Sequence, residues 1–255
     1  MKVIRYSEIS IDAIKSNMIA QNKTFVIEKK SGNRSILMNG SRFTSQQKKP
    51  YMKKVNSRTG RSVIGNVRKC VNNYIRSNNF DIPAVELIYP PTASHKDRFK
   101  ALSVDHEFYY VDLKHCYWRI AHLMGILPIN LYNNYKDNGE HKLTRNIALS
   151  TLTTQPTREY YINGSLVNTI TSANDHYQII YKNIRYTAYN TMGLIAEKLD
   201  TLTLGYQIDG IYVLKDGLDQ VRRILKNKNF LYRVINCVKI DNKQFACDDE
   251  IKDFR

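Results

Sequence analysis

The chain is poor in the residues that break or cross-link a backbone. It carries 11 Gly and 6 Pro in 255 residues, which excludes a collagen-like repeat or a Pro/Gly-rich low-complexity chain. Its four cysteines, Cys70, Cys116, Cys237 and Cys247, form no C-x-x-C pair, so neither a zinc cage nor a disulfide framework is suggested. They read as reduced, partly buried thiols. No run approaches the roughly 20 consecutive apolar residues that a bilayer-spanning helix needs, and the opening MKVIRYSEISID interrupts its apolar residues with charge before a signal-peptide core forms. The expectation is a soluble, untargeted, cytoplasmic protein with no membrane partner. With 42% hydrophobic residues the chain has enough apolar material for a buried core of one or two domains, which rules out wholesale disorder.

Acidic residues are missing from one long stretch. Between Lys29 and Phe80 there are thirteen Lys or Arg and no Asp or Glu, whereas the rest of the chain is nearly balanced at 26 basic and 23 acidic residues. Nearly all of the net charge of +16 is therefore local. A field of that sign attracts phosphate backbones and releases their counter-ions, and Phe43, Tyr51 and Tyr74 within the stretch offer surfaces for base stacking. Lys48, Lys49, Lys53, Lys54, Arg58, Arg61, Arg68 and Lys69 are the candidate nucleic-acid contacts. A solvated basic loop with no specific ligand is the alternative. An anionic membrane fits less well, because QQKKPYMKKVNSRTGRS lacks an amphipathic helical pattern.

Residue periodicity outlines the elements. TFVIEKK and SILMNG read as strands joined by an SGN turn. From Ser62 to Arg76, Val63, Ile64, Val67, Cys70, Val71 and Tyr74 recur at helical spacing. FYYVDL reads as a buried strand running into the helix KHCYWRIAHLM. A second helix is expected around LTRNIALSTL, a type I′ hairpin at Asn163-Gly164, and a long helix whose apolar face is Ile180, Ile184, Ala188, Met192, Ile195 and Leu199. LTLGYQIDGIYVL then predicts a hairpin turning at Asp209-Gly210, followed by the helix LDQVRRILKN and the strand LYRVINCVKI. Strand, helix, hairpin, helix, strand is a split βαβ order of ferredoxin-like type. The fold class expected is α+β, an antiparallel sheet with residues 126 to 200 inserted and a basic N-terminal region over residues 1 to 100.

Such a fold would bring two carboxylates to one edge of the sheet, Asp112 at the end of the first strand and Asp209 at the tip of the hairpin. Adjacent carboxylates repel unless a divalent cation lies between them, and hard-oxygen pairs hold two magnesium or manganese ions in phosphoryl-transfer sites. Each aspartate also has an ordinary reading: Asp112 as the cap of the following helix, Asp209 as half of an Asp-Gly turn. Asp105 and Glu107, just upstream, are possible extra metal contacts or simply a polar approach to a buried strand.

The residues around these aspartates resemble the family B DNA polymerases. Their first palm motif, D-x-x-S-L-Y-P, is similar to DLKHCYW here, with Asp112 and, five residues on, Tyr117. Their third, Y-G-D-T-D-S, is similar to QIDGIYV, in which Asp209 keeps the second aspartate and Gln207 replaces the first. The fingers motif K-x-x-x-N-S-x-Y-G is matched by KLTRNIALS at Lys142 and Asn146, with Leu149 and Ser150 in place of its Tyr and Gly. The resemblance covers roughly Phe108 to Leu214. It implies that Asp112 and Asp209 are the catalytic metal ligands, two Mg2+ or Mn2+ ions being held. It also implies that Lys142, with Arg145, Asn146 and Arg158, receives the triphosphate, and that Tyr117 lies under the sugar and excludes a 2′-hydroxyl.

Several family parts are missing. Only 29 residues lie between Asp112 and Lys142 and only 46 follow Asp209, too few for long fingers or a usual thumb, and the first 100 residues show no D-x-E exonuclease opening. The resemblance thus implies a minimal palm over residues 101 to 255 that extends a nucleic-acid 3′ end with dNTPs, most simply a template-directed DNA polymerase. Its partners would be DNA and dNTPs, with a processivity or priming protein. The Asn, Lys, Ile and Tyr bias suits an AT-rich virus or mobile element acting in a host cytoplasm. The alternatives are a template-independent transferase or primase-like enzyme, a reverse-transcriptase-like palm, and a catalytically inactive, polymerase-derived nucleic-acid-binding protein. A plain ferredoxin-like RNA-binding module would instead expose Tyr109, Tyr206 and Tyr212 on its sheet face.

Overall fold

A computed structural model describes residues 2–6, 11–30, 33–45, 58–136, 141–172, 174–248 and 250–254. Among the described residues the chain is α+β, with two sheets that are antiparallel apart from one parallel strand pair. It divides into two compact units, Met1–Lys69 with Leu143–Tyr181, and Cys70–Lys142 with Lys182–Arg255. The division differs from a boundary near residue 100. Residues 70–100 group with the second unit, and 143–181, expected within an insertion, group with the first.

The first unit holds β1 (Lys2–Tyr6), β2 (Phe25–Lys30), β3 (Asn33–Met38), β4 (Ser41–Ser45), β7 (Thr157–Ile162) and β8 (Ser165–Thr171), in the order β1-β4-β3-β2-β7-β8. The β2–β3 and β7–β8 hairpins lie where strand-type residues flanked turn chemistry. In the second, Ile162 pairs with Ser165, and Asn163 and Gly164 both take positive φ, as a type I′ turn requires. Helix α1 (Ile11–Ala20) was not legible as a helix, because its first-unit neighbourhood reads as strands and turns. Its Ile11 and Met18 join Phe25, Ile27, Ile36 and Tyr161 in one apolar cluster, with Phe25 and Tyr161 stacked at 4.6 Å.

Helix α2 (Arg58–Ser77) buries Val63, Val67, Val71 and Ile75, a stripe at spacing four. Most of the second unit is a seven-stranded antiparallel sheet, ordered β13-β12-β11-β6-β10-β9-β5. Its strands are β5 (Ala93–Ser94), β6 (Glu107–Leu113), β9 (Thr203–Gln207), β10 (Gly210–Val213), β11 (Tyr232–Lys239), β12 (Gln244–Cys247) and β13 (Glu250–Asp253). The helices are α3 (Lys96–Ala101), α4 (Cys116–Leu123), α5 (Ile129–Lys136), α6 (Lys142–Ser150), α7 (Asp175–Leu199) and α8 (Leu218–Asn227), of which α6 and α7 straddle the division between units. Every residue of the expected apolar face of α7, from Ile180 to Leu199, is buried.

Two asparagines on α7 hold a segment without regular structure. Asn183 accepts from the Val85 amide at 2.8 Å and donates to the Pro83 carbonyl at 2.8 Å. Two turns on, Asn190 accepts from the amides of Ile88 and Tyr89 and donates to the Glu86 carbonyl at 2.7 Å. Backbone groups that lack a ladder partner are thereby satisfied by side-chain amides. Tyr89 then packs so closely on Gly193 that a Cβ there would lie 2.1 Å from its ring.

Candidate active site

Strand β6 is central, with β10 and β11 on either side. Phe108, Tyr110 and Asp112 alternate onto one face of it. Opposite Phe108 lies Cys237, opposite Tyr110 lie Tyr212 and Ile235, and opposite Asp112 lie Gly210 and Arg233. One face thus passes from an apolar, aromatic cluster containing Phe99, Phe108, Tyr212 and Phe245 to a charged edge at Asp112. Tyr110, stacked on Tyr212 at 4.6 Å, stands between the two regions.

The hairpin brings Asp209 to that edge. Gln207 pairs with Gly210, so the two turn residues are Ile208 and Asp209 rather than Asp209 and Gly210. None of the three residues from Ile208 to Gly210 has positive φ, so the glycine is not there for a type I′ turn. It is required by close packing: a Cβ at Gly210 would lie 2.2 Å from the Tyr110 hydroxyl and 2.4 Å from its ring. The Asp209 carbonyl accepts the Leu113 amide at 2.7 Å, which ties the residue after Asp112 to Asp209 itself.

The two carboxylates feel each other. Burial, and then the charge of Asp112, hold the Asp209 carboxyl above its ordinary range, while its own backbone N–H, Lys142 and Arg233 act in the opposite sense. Asp112 does not cap the following helix. The N-cap of α4 is His115, in the left-handed region and making no side-chain cap bond. The Asp112 Oδ2 instead accepts a 2.7 Å hydrogen bond from Arg233 Nε. Sequence reasoning missed Arg233. The available signal was the split βαβ order itself, which places the last strand beside the first and so sets the cation of LYRVINCVKI against Asp112.

The other expected residues divide. Tyr117, on the first turn of α4, is hydrogen-bonded to Tyr189, and both this bond and burial raise its hydroxyl pKa, burial being the larger cause. Tyr189 in turn accepts from Arg185 Nε at 2.8 Å. Lys142 opens α6 in an exposed position and its charge bears on Asp209. Asn146, one turn later, is exposed, and Arg145 is buried at 3% exposure. Arg158, on β7 of the first unit, is committed to Glu28, whose Oε1 accepts from its guanidinium at 3.0 Å. Gln207, where the polymerase motif has its first aspartate, donates to the Tyr212 hydroxyl at 3.4 Å. Asp105 and Glu107 lie at the opposite end of β6 from Asp112.

The acid-free stretch is less free in space than in sequence. Lys29 pairs with Glu159, Arg42 with Glu28, and Arg34 with Asp12 at 2.8 Å, all acids from outside the stretch. Arg61 and Lys69 of α2 remain exposed, and Arg68 carries a buried Nε that meets no hydrogen-bond acceptor among the described residues. Lys48, Lys49, Lys53 and Lys54 fall outside the described residues, as does the side chain of Arg58. Tyr206 and Tyr212 are buried at 5% and 9% exposure, which removes the stacking platform that a plain RNA-binding sheet needs. Among the described residues no helix is long and apolar enough to cross a membrane. Family models, curated proteins and solved structures yield no match to the chain.

Proposed function

We propose that the chain is a palm-type nucleotidyltransferase that extends a nucleic-acid 3′ end with dNTPs, Asp112 and Asp209 being its metal ligands. The observation that carries this reading is their juxtaposition: Gly210 opposite Asp112, the Leu113 amide on the Asp209 carbonyl, and an Asp209 carboxyl whose pKa is raised first by burial and then by the Asp112 charge. The strand order β11-β6-β10-β9 supports a ferredoxin-like palm, because in chain order it is 4-1-3-2 with helices α4 and α8 in the two crossovers.

The donor set suits a hard divalent ion: two carboxylates, adjacent and half-buried, whose repulsion a cation relieves. Magnesium or manganese held there supplies activation of the attacking hydroxyl and charge against the leaving pyrophosphate. Lys142 is the protein's own cation best placed to receive the triphosphate, since its charge bears on Asp209, whereas Arg145 is buried and Arg158 is engaged by Glu28. Tyr117, fixed through Tyr189 and Arg185, is a rigid plate suited to lie under a deoxyribose. Exposed Arg61 and Lys69 then serve phosphate contact.

A second reading, a non-catalytic nucleic-acid-binding relative of such enzymes, is favoured by one observation, the Arg233 guanidinium on Asp112. The two part in a primer-extension assay with Mg2+ or Mn2+, labelled dNTPs, and primer with or without template. Incorporation by the wild type that Asp112→Asn and Asp209→Asn each abolish is the expected result, and its dependence on template separates a polymerase from an end-adding transferase. No incorporation under any metal or primer condition, with nucleic-acid binding intact in all three proteins, leaves the binding reading.

A further inference from the structure

We infer that Arg233 is a built-in counter-ion for the aspartate pair, holding the Asp112 carboxylate until a divalent cation displaces its guanidinium. The inference rests on the reading of Asp112 and Asp209 as a metal-holding pair, and it concerns how that pair is kept before metal arrives. Register places Arg233 directly opposite Asp112 in the β11–β6 ladder, and its Nε lies 2.7 Å from Asp112 Oδ2. The guanidinium thus occupies a carboxylate edge that a divalent cation would otherwise take.

The two partners differ in freedom. The Asp112 side chain, on the central strand, is 18% exposed, and that of Arg233 is 56% exposed. The carboxylate stays where the sheet holds it, and the long guanidinium arm can leave. The Asp248 carboxylate, in the turn after β12, lies near enough for its charge to act on Arg233 as well. A partly exposed ion pair contributes little to stability, so the consequence of this one lies in who occupies Asp112. A divalent ion brings two compact charges against the single, delocalised charge of Arg, and so wins the site once its concentration suffices. Arg233 is then a positioning residue: it keeps Asp112 aimed at the pair's shared space, and sets a metal concentration below which the site stays closed.

The test is Mn2+ affinity, read by electron paramagnetic resonance of the free ion at fixed low ionic strength. The proteins are the wild type, Arg233→Gln, Arg233→Lys and Asp112→Asn, with circular dichroism confirming the fold of each. Removing the competing cation should tighten the Asp112-dependent site about three- to fivefold in Arg233→Gln, while Arg233→Lys, which keeps the charge, stays close to the wild type. A general loss of structure weakens metal binding and cannot produce that tightening. Affinity that is unchanged or weaker in Arg233→Gln, with the site still lost in Asp112→Asn, overturns the counter-ion role and leaves the metal pair standing. A wild-type titration that Asp112→Asn does not alter overturns the metal pair, and the inference with it.

Discussion

Asp209 is placed at a cost to the fold. Its carboxyl is harder to ionise in the folded chain than in the unfolded one, first through burial and then through the Asp112 charge. A group with a raised folded pKa binds its proton more tightly in the native state, so stability falls as pH rises above the ordinary carboxylate range and through the folded pKa. Asp209→Asn removes the charge that causes the loss. This variant is expected to melt above the wild type at neutral pH, and the gap should narrow as the pH falls through the raised folded pKa into the ordinary carboxylate range. Equal melting temperatures at neutral pH would contradict the strain assigned to this residue. Functional sites commonly carry such groups, with a gain in activity set against a loss in stability.

At the scale of elements, the hairpin β9–β10 depends on the absence of one side chain. Gly210→Ala would drive a methyl into the Tyr110 ring, which cannot retreat because it is stacked on Tyr212. The expected cost is about 1–3 kcal/mol. In a Tyr110→Ala background the same substitution should cost far less, since the clashing ring is gone, and a double-mutant cycle by chemical denaturation reads the difference. Additive effects would show that Gly210 is needed for another reason. The element itself was legible: alternation in LTLGYQIDGIYVL located both strands, and DG suggested the turn. The turn is one residue earlier because the glycine answers to packing across the sheet, which no local pattern reports. The same limit explains the Asn183 and Asn190 clamps, where an amide on a helix looks like any polar position until the irregular segment 83–89 is laid beside it.

At the scale of the molecule, charge is the property most plainly written in the chain, yet part of it is spent internally on Glu28, Glu159 and Asp12. The pairing of Lys29 with Glu159 was hidden because a strand distant in sequence supplies it: β7 lies beside β2 although 126 residues separate Lys30 from Thr157. Exposed Arg61 and Lys69 keep their charge for solvent or phosphate. If α2 contacts nucleic acid, replacing both with Gln should reduce the magnitude of the slope of log K against log salt by about 1.8 on duplex DNA, two phosphate contacts at roughly 0.9 each. Fluorescence anisotropy across a salt series reads this, and an unchanged slope would place the interface elsewhere in the basic stretch. Of the candidate site, the aspartate pair and Lys142 were legible because motif residues are local in sequence. Arg233, Tyr189 and Arg185 were not, because each enters through a partner brought in by the fold.

The central claim is that Asp112 and Asp209 together hold a cation, and localised cleavage by iron tests it most directly. Fe2+ substituted for Mg2+ reduces added hydrogen peroxide to hydroxide and hydroxyl radical, ascorbate returning the iron to Fe2+, and the radicals cut the backbone only near the bound ion. Two cuts are expected, one close to residue 112 and one close to 209, suppressed by excess Mg2+ and absent from both Asp112→Asn and Asp209→Asn. Cleavage that occurs at neither position, or that survives unchanged in the two variants, would contradict the claim.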